Sequence, residues 1–169
     1  MIQAEIIAEL TRNKIVFQGL FDSLSDEMIT WKPSPQKWSL LEIICHLHDE
    51  ERQDFRARTK KALEDPMGPL SSINPVGWVT ERNYLDQEFK QKTLAFLDER
   101  ETSIQWLASL QNPNWDSFFV HPELGEMSAN LFLSNWLVHD YLHIRQINRL
   151  KFEYLKTMTT SSLDYAGTW

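Results

Sequence analysis

An all-α four-helix bundle is the fold this sequence predicts. Three observations carry the prediction. Four segments repeat apolar residues at three- and four-residue steps, as one buried helix face requires. Loops rich in Pro and Gly separate those segments, and no stretch alternates apolar and polar residues with a β-branched bias. Four long helices joined this way pack as a bundle. The 169 residues make a single domain, 1–169, with chain enough for a sizeable core. Seven Trp against only five Gly fit compact, helix-rich packing.

The first helix is expected from about Ile2 to Leu24, with Ile6, Ile7, Leu10, Val16, Leu20 and Phe21 on its apolar face. Residues Ser25 to Lys37 contain Pro33 and Pro35 and read as a loop. The second helix opens on a capping box, Ser39 with Glu42, and Trp38 can form a hydrophobic staple with Ile43. It continues to about Glu64, where Pro66 and Gly68 stop it. A long loop follows, Asp65 to Val79, with three Pro and two Gly. The third helix is expected from about Thr80 to Leu110, carrying Tyr84, Phe89, Leu94, Phe96, Leu97, Ile104 and Leu107. The loop from Gln111 to Glu126 then leads into a fourth helix, about Ser128 to Leu150. That helix is apolar on most sides and is therefore expected at the centre. The tail from Lys151 to Trp169 is expected to dock on the surface through Phe152, Tyr154, Leu155, Leu163, Tyr165 and Trp169.

Composition excludes several functions. Lys and Arg number 17 and Asp and Glu 24, so the chain carries −7 with His neutral, a poor balance for nucleic acid. A single cysteine, Cys45, excludes a disulfide framework and a four-cysteine zinc site. No apolar run approaches the ~20 residues needed to cross a bilayer, so no membrane partner is expected. The opening MIQAEIIAELTRNK has Glu5 and Glu9 where a secretory signal needs basic residues and an apolar run; a cytoplasmic location is expected.

The chemistry lies in the histidines. His139 and His143, in HDYLHIRQI, are four apart and share one helix face, so two imidazoles can chelate one metal ion. Asp140 stands where a zincin helix carries its Glu, so this is not that motif. A third ligand would complete a site with an open position, the pattern of a catalytic metal. The second helix offers His46 and His48, on nearly opposite sides. The apolar arc of Leu40, Leu41, Ile44, Leu47 and Phe55 lies closer to His48. His46 shares a stripe with Glu42, Glu50 and Gln53, which reads as a solvated face. Periodicity leans to His48 and leaves both open.

Glu50, one turn beyond His46, can accept a hydrogen bond from an imidazole or a bound water. Gln146 and Asn135 flank the His139–His143 face and are further candidates to contact water or substrate; Trp136, close to one turn before His139, is the pocket candidate. Trp78, Tyr84 and Trp115 read as core, and Cys45 as a small core residue. His121 is expected to be exposed, and Arg145 to sit in a surface ion pair.

Two strings now bear on family. WSLLEIICHLHDEE, from Trp38 to Glu51, and HDYLHIRQI, from His139 to Ile147, resemble the two signatures of the DinB/YfiT-like family. FLDER, from Phe96 to Arg100, and HPELGEMS, from His121 to Ser128, resemble its third helix and the connection that follows. The resemblance covers nearly the whole chain in order. It implies a four-helix bundle holding a divalent metal on three His, and by motif match these are His46, His139 and His143, against the periodicity lean. His48 stays as the fallback. Zn, Ni or Fe would suit such imidazoles.

The resemblance further implies a metal-dependent enzyme acting on a small-molecule substrate. It would be a hydrolase or an S-transferase that uses a low-molecular-weight thiol such as bacillithiol or mycothiol. Members of the family often pair, so a homodimer is expected, although no heptad seam marks an interface. The competing reading is a non-catalytic metal- or ligand-binding bundle of the stress response.

Overall fold

The computed structural model describes residues 2–167, and Trp169 lies outside them. Four long helical elements form the bundle: α1 (Ile2–Phe21), a composite of α3 (Leu40–Glu50) and α4 (Arg56–Glu64), α6 (Phe89–Ser109) and α7 (Ala129–Met158). Helix α1 packs on α6 and α7, α3 on α6, and α4 on α7. Two short helices, α2 (Asp26–Thr30) and α5 (Trp78–Glu81), lie in the first two loops.

Each start has a local cause. Ser25 accepts the Met28 N–H and begins α2 inside a segment read from its prolines as loop. At α3 the capping box forms as expected: Ser39 Oγ accepts the Glu42 N–H, and Glu42 returns the bond to the Ser39 N–H at 2.7 Å. Glu88 caps α6 by accepting the N–H groups of Lys90 and Gln91. The third helix therefore starts at Phe89 rather than near Thr80. The expected first turns are instead α5 and a 3₁₀ turn at Tyr84–Asp86, separated by Asn83 in the left-handed region. Ser128 caps α7, which runs eight residues past the expected end at Leu150.

Between α3 and α4 the helix widens into one π turn, Glu51–Phe55, closed by the Arg56 N–H on the Glu51 carbonyl. The extra residue in that turn re-aims the side chains that follow it. Glu51 reaches into the core, and Phe55 stacks on Trp136 at 5.9 Å between ring centres.

The loop before α7 holds a feature the sequence did not predict, an antiparallel hairpin of β1 (Phe118–His121) and β2 (Gly125–Ser128), paired from Phe118↔Ser128 to His121↔Gly125. Strands of four residues are too short to show a two-residue period. Gly125, at φ 77, makes the turn, and His121 Nδ1 accepts the N–H groups of Glu123 and Leu124. His121 is thus half-buried and engaged, not free on the surface. Phe119 alone of the hairpin is buried, stacked on Phe132.

One core cluster gathers Phe17, Phe21, Ile43, Ile44, Phe96 and Ile147; a second gathers Ile6, Leu10, Phe55, Leu107, Leu133 and Trp136. Beyond Lys151 the tail docks only in part. Phe152 and Tyr154 belong to α7, where Tyr154 meets Trp31 edge-on, and Leu163 is half-buried, but Leu155 and Tyr165 are exposed.

Candidate metal centre

Every residue of α3 from Leu40 to Glu50 is buried. The stripe of His46, Glu42 and Glu50 is therefore interior, contrary to the reading as a solvated face. His46 faces α7, and the rest of α3 is covered as well: α2, α5 and the Tyr84 turn all pack on it. Glu42 is engaged there by its cap and by Lys32 Nζ at 2.6 Å.

His46 projects from the middle of α3 toward α7. Trp38, just before the Ser39 cap, covers it, with ring centres 4.8 Å apart. His139 and His143 project from one face of α7, as their spacing requires. His139 Nε2 lies 3.2 Å from His46 Nε2 and 3.1 Å from His143 Nε2, so three ring nitrogens converge on one point. Phe55 closes the far side of His139 at 4.9 Å. His48 is turned away from this cluster, and its Nδ1 pairs with Asp49 Oδ1 at 3.0 Å.

Electrostatics keep the three rings neutral. Burial lowers His46 to about 3 and His139 to about 2, and each is disfavoured further by the charge its neighbours would carry. Burial lowers His143 to about 4, with Gln146 pulling weakly the other way. Neutral imidazoles face a conflict at this spacing. Two N–H groups cannot share a 3.1 Å gap, and the single lone pair of His139 Nε2 cannot serve two donors well. A cation among three lone pairs removes the conflict. Imidazole nitrogens ~2.0–2.1 Å from a tetrahedral zinc stand roughly 3.3–3.4 Å apart, close to what is found here. The donor set fits a divalent transition metal. His46 Nδ1 and His143 Nδ1 are buried without hydrogen-bond partners, so packing rather than a second bond sets those ring planes.

Glu50, one turn past His46, is only 4% exposed, and its Oε1 has no partner. Burial first, then the neighbouring Asp54 charge, raises its carboxyl to about 8. Asp54 is raised by burial too, while Arg58 Nε, 2.7 Å away, opposes the rise. Asp54 and Arg58 open onto a cleft of about 600 Å³, lined also by Ile73, Leu124, Met127 and Phe132.

Other expected residues fall elsewhere. Trp136 lines no open pocket: it is fully buried and donates its indole N–H to Glu51 at 2.8 Å. Asn135 is exposed and bonded back to the Leu131 carbonyl. Cys45 is buried, which pushes its thiol up to about 12. Arg145 is exposed and joins no ion pair among the described residues.

Sequence reasoning missed the charged centre of the bundle. Arg100, 1% exposed, donates Nε and Nη2 to Glu51 at 2.9 Å each, and Nη1 and Nη2 to Asp140 at 2.7 Å each. Asn13 adds a bond to Asp140 at 3.1 Å. Burial would lower the Arg100 guanidinium, but the two carboxylates more than reverse this and raise it. The network ties α6 to the π turn and to the residue beside His139. Its one sequence signal was Asp140, charged yet lying on a helix apolar on most sides.

Residues 9–147 match the model of the DinB superfamily. Among solved structures, YfiT from Bacillus subtilis superposes with a TM-score of 0.79 at 14% identity, covering 90% of this chain and 87% of that one. That protein is described as a probable metal-dependent hydrolase with an unusual four-helix bundle topology. No curated protein matches the chain significantly in sequence.

Proposed function

The chain belongs to the DinB superfamily; from that premise and the imidazole cluster we propose that it is a metal-dependent enzyme, a hydrolase in its first reading, with His46, His139 and His143 as the ligands. The convergence of three Nε2 atoms, 3.1 and 3.2 Å apart in sequence-distant helices, carries the reading. Its likeness to YfiT adds a fold on which the same chemistry has been inferred.

A divalent ion on three neutral imidazoles supplies Lewis acidity and a nucleophile at neutral pH. The protein supplies the rest. Trp38 and Phe55 hold the rings in place and keep bulk water from them. Glu50 handles the proton: its raised carboxyl holds one near neutrality and can give it up, with Asp54 beside it and Arg58 paired to Asp54. Thiol transfer is the second reading. Cys45, buried with its thiol at about 12, cannot be the nucleophile, so the thiol would come from a small-molecule cofactor.

The test is turnover of ester, amide and thiol-transfer substrates by protein loaded with Zn, Ni or Fe. The expected result is metal-dependent turnover, abolished in His143→Ala and reduced roughly 10²- to 10⁴-fold in Glu50→Gln, as loss of a proton-transferring group implies. Stoichiometric metal without turnover on any substrate class would favour a non-catalytic metal-binding bundle.

A further inference from the structure

We propose a second binding site, on the side of α3 opposite the imidazole cluster, that takes a small phosphate-type oxyanion. A cleft of about 350 Å³ opens there, lined by His48, Arg52, Gln53, Arg82, Gln87 and Lys92. Its floor is a saturated carboxylate. Asp49 pairs with His48 Nδ1 at 3.0 Å, accepts Tyr84 Oη–H at 2.8 Å and pairs with Arg82 Nη1 at 2.5 Å.

That floor leaves a defined set of unused groups. Arg82 is neutralised by Asp49 and lies over the Trp78 ring at 3.9 Å. Arg52 and Lys92 have no ion-pair or hydrogen-bond partner among the described residues, so two uncompensated cations face one cleft in a chain of net charge −7. Gln53 uses its Oε1 on Arg82 and keeps its amide N–H groups free; Gln87 uses its Nε2 on the Arg82 carbonyl and keeps Oε1 free.

The free groups are therefore two cations, an amide donor and one acceptor. A phosphate, which accepts on several oxygens and at neutral pH can also donate from one, matches that inventory. So does a phosphate monoester whose organic part extends into the remaining volume. The two free cations come from separate segments, the π turn and the first turns of α6, so the fold and not one basic run assembles them.

Amide NMR of the full chain, titrated with inorganic phosphate at constant ionic strength, tests the site. Saturable shifts confined to residues 48–53 and 82–92 are expected. Affinity should fall about tenfold for each cation removed in Arg52→Ala and Lys92→Ala. Chloride at matched strength should produce no such shifts, and a phosphate monoester binding more tightly than free phosphate would identify the ester as the natural form. The His143→Ala variant should retain the response, which separates this site from the metal centre. Linear, non-saturating shifts, or shifts unchanged in the double variant with helix content intact, would overturn the proposal.

Discussion

Replacing Arg100 by Met tests what holds the bundle in register. The guanidinium makes four hydrogen bonds to Glu51 and Asp140 in a site 1% exposed, and Met can fill much of its volume. What Met cannot do is compensate two buried carboxylates, which among the described residues keep the Trp136 and Asn13 side-chain donors. Removing one partner from a buried ionic cluster costs about 3–5 kcal/mol. Against a typical total of roughly 5–15 kcal/mol, that is a large share of the stability. At roughly 2–4 °C per kcal/mol for a chain of this size, the melting temperature should fall by about 6–20 °C. Urea unfolding monitored by circular dichroism measures the loss. The triple variant Arg100→Met, Glu51→Gln, Asp140→Asn should be more stable than the single one, because its remaining polar groups are neutral. A loss below about 1 kcal/mol in Arg100→Met, or a triple variant no better than the single, would refute the assignment of Arg100 as the keystone of this network.

Further outcomes are expected. Glu50 has its carboxyl raised from 4.5 to about 8, so the folded state holds a proton that the unfolded chain has already lost. Its contribution is complete below pH 4.5 and is lost as pH rises through about 8, so Glu50→Gln should stabilise the metal-free protein progressively from about pH 4.5 to 8 and level off above. An unchanged pH slope in urea unfolding would contradict this. The three depressed histidines act in the opposite sense: without metal, stability should fall as pH drops from about 6.5 toward 4, because only the unfolded chain takes up protons there. With pKa values of about 2 to 4 the rings compete weakly with protons, so bound metal should persist to pH 5; release near pH 6.5 would show ordinary, solvated imidazoles. Ser39→Ala should cost about 0.5–2 kcal/mol and loosen the start of α3, seen as faster amide exchange at Leu41 and Glu42.

The parts of the fold written in local pattern were legible. The four-helix count, the Ser39–Glu42 box and the shared face of His139 and His143 all follow from spacing within one helix. What spacing cannot carry is contact between helices. His46 looked solvated because its stripe is polar; it is interior because it faces α7 and Trp38 covers it, and only the family motif pointed to it. The π turn broke the 3.6-residue count at Glu51, so no extrapolation from α3 could place Glu51 against Arg100. Trp136 has the right spacing for a pocket next to His139, yet its indole N–H is used to satisfy Glu51 in the core. The hairpin at Phe118–Ser128 left no periodic trace in strands of four residues.

Three nitrogens meeting around one ion are the core of the proposed function. Elemental analysis of the purified protein beside His139→Ala tests that most directly, since His139 Nε2 is the atom within 3.2 Å of both partners. About one equivalent of Zn, Ni or Fe per chain, lost in the variant while helix content is kept, is the predicted result. No metal in the wild-type chain after reconstitution, or equal metal in the variant, would contradict it.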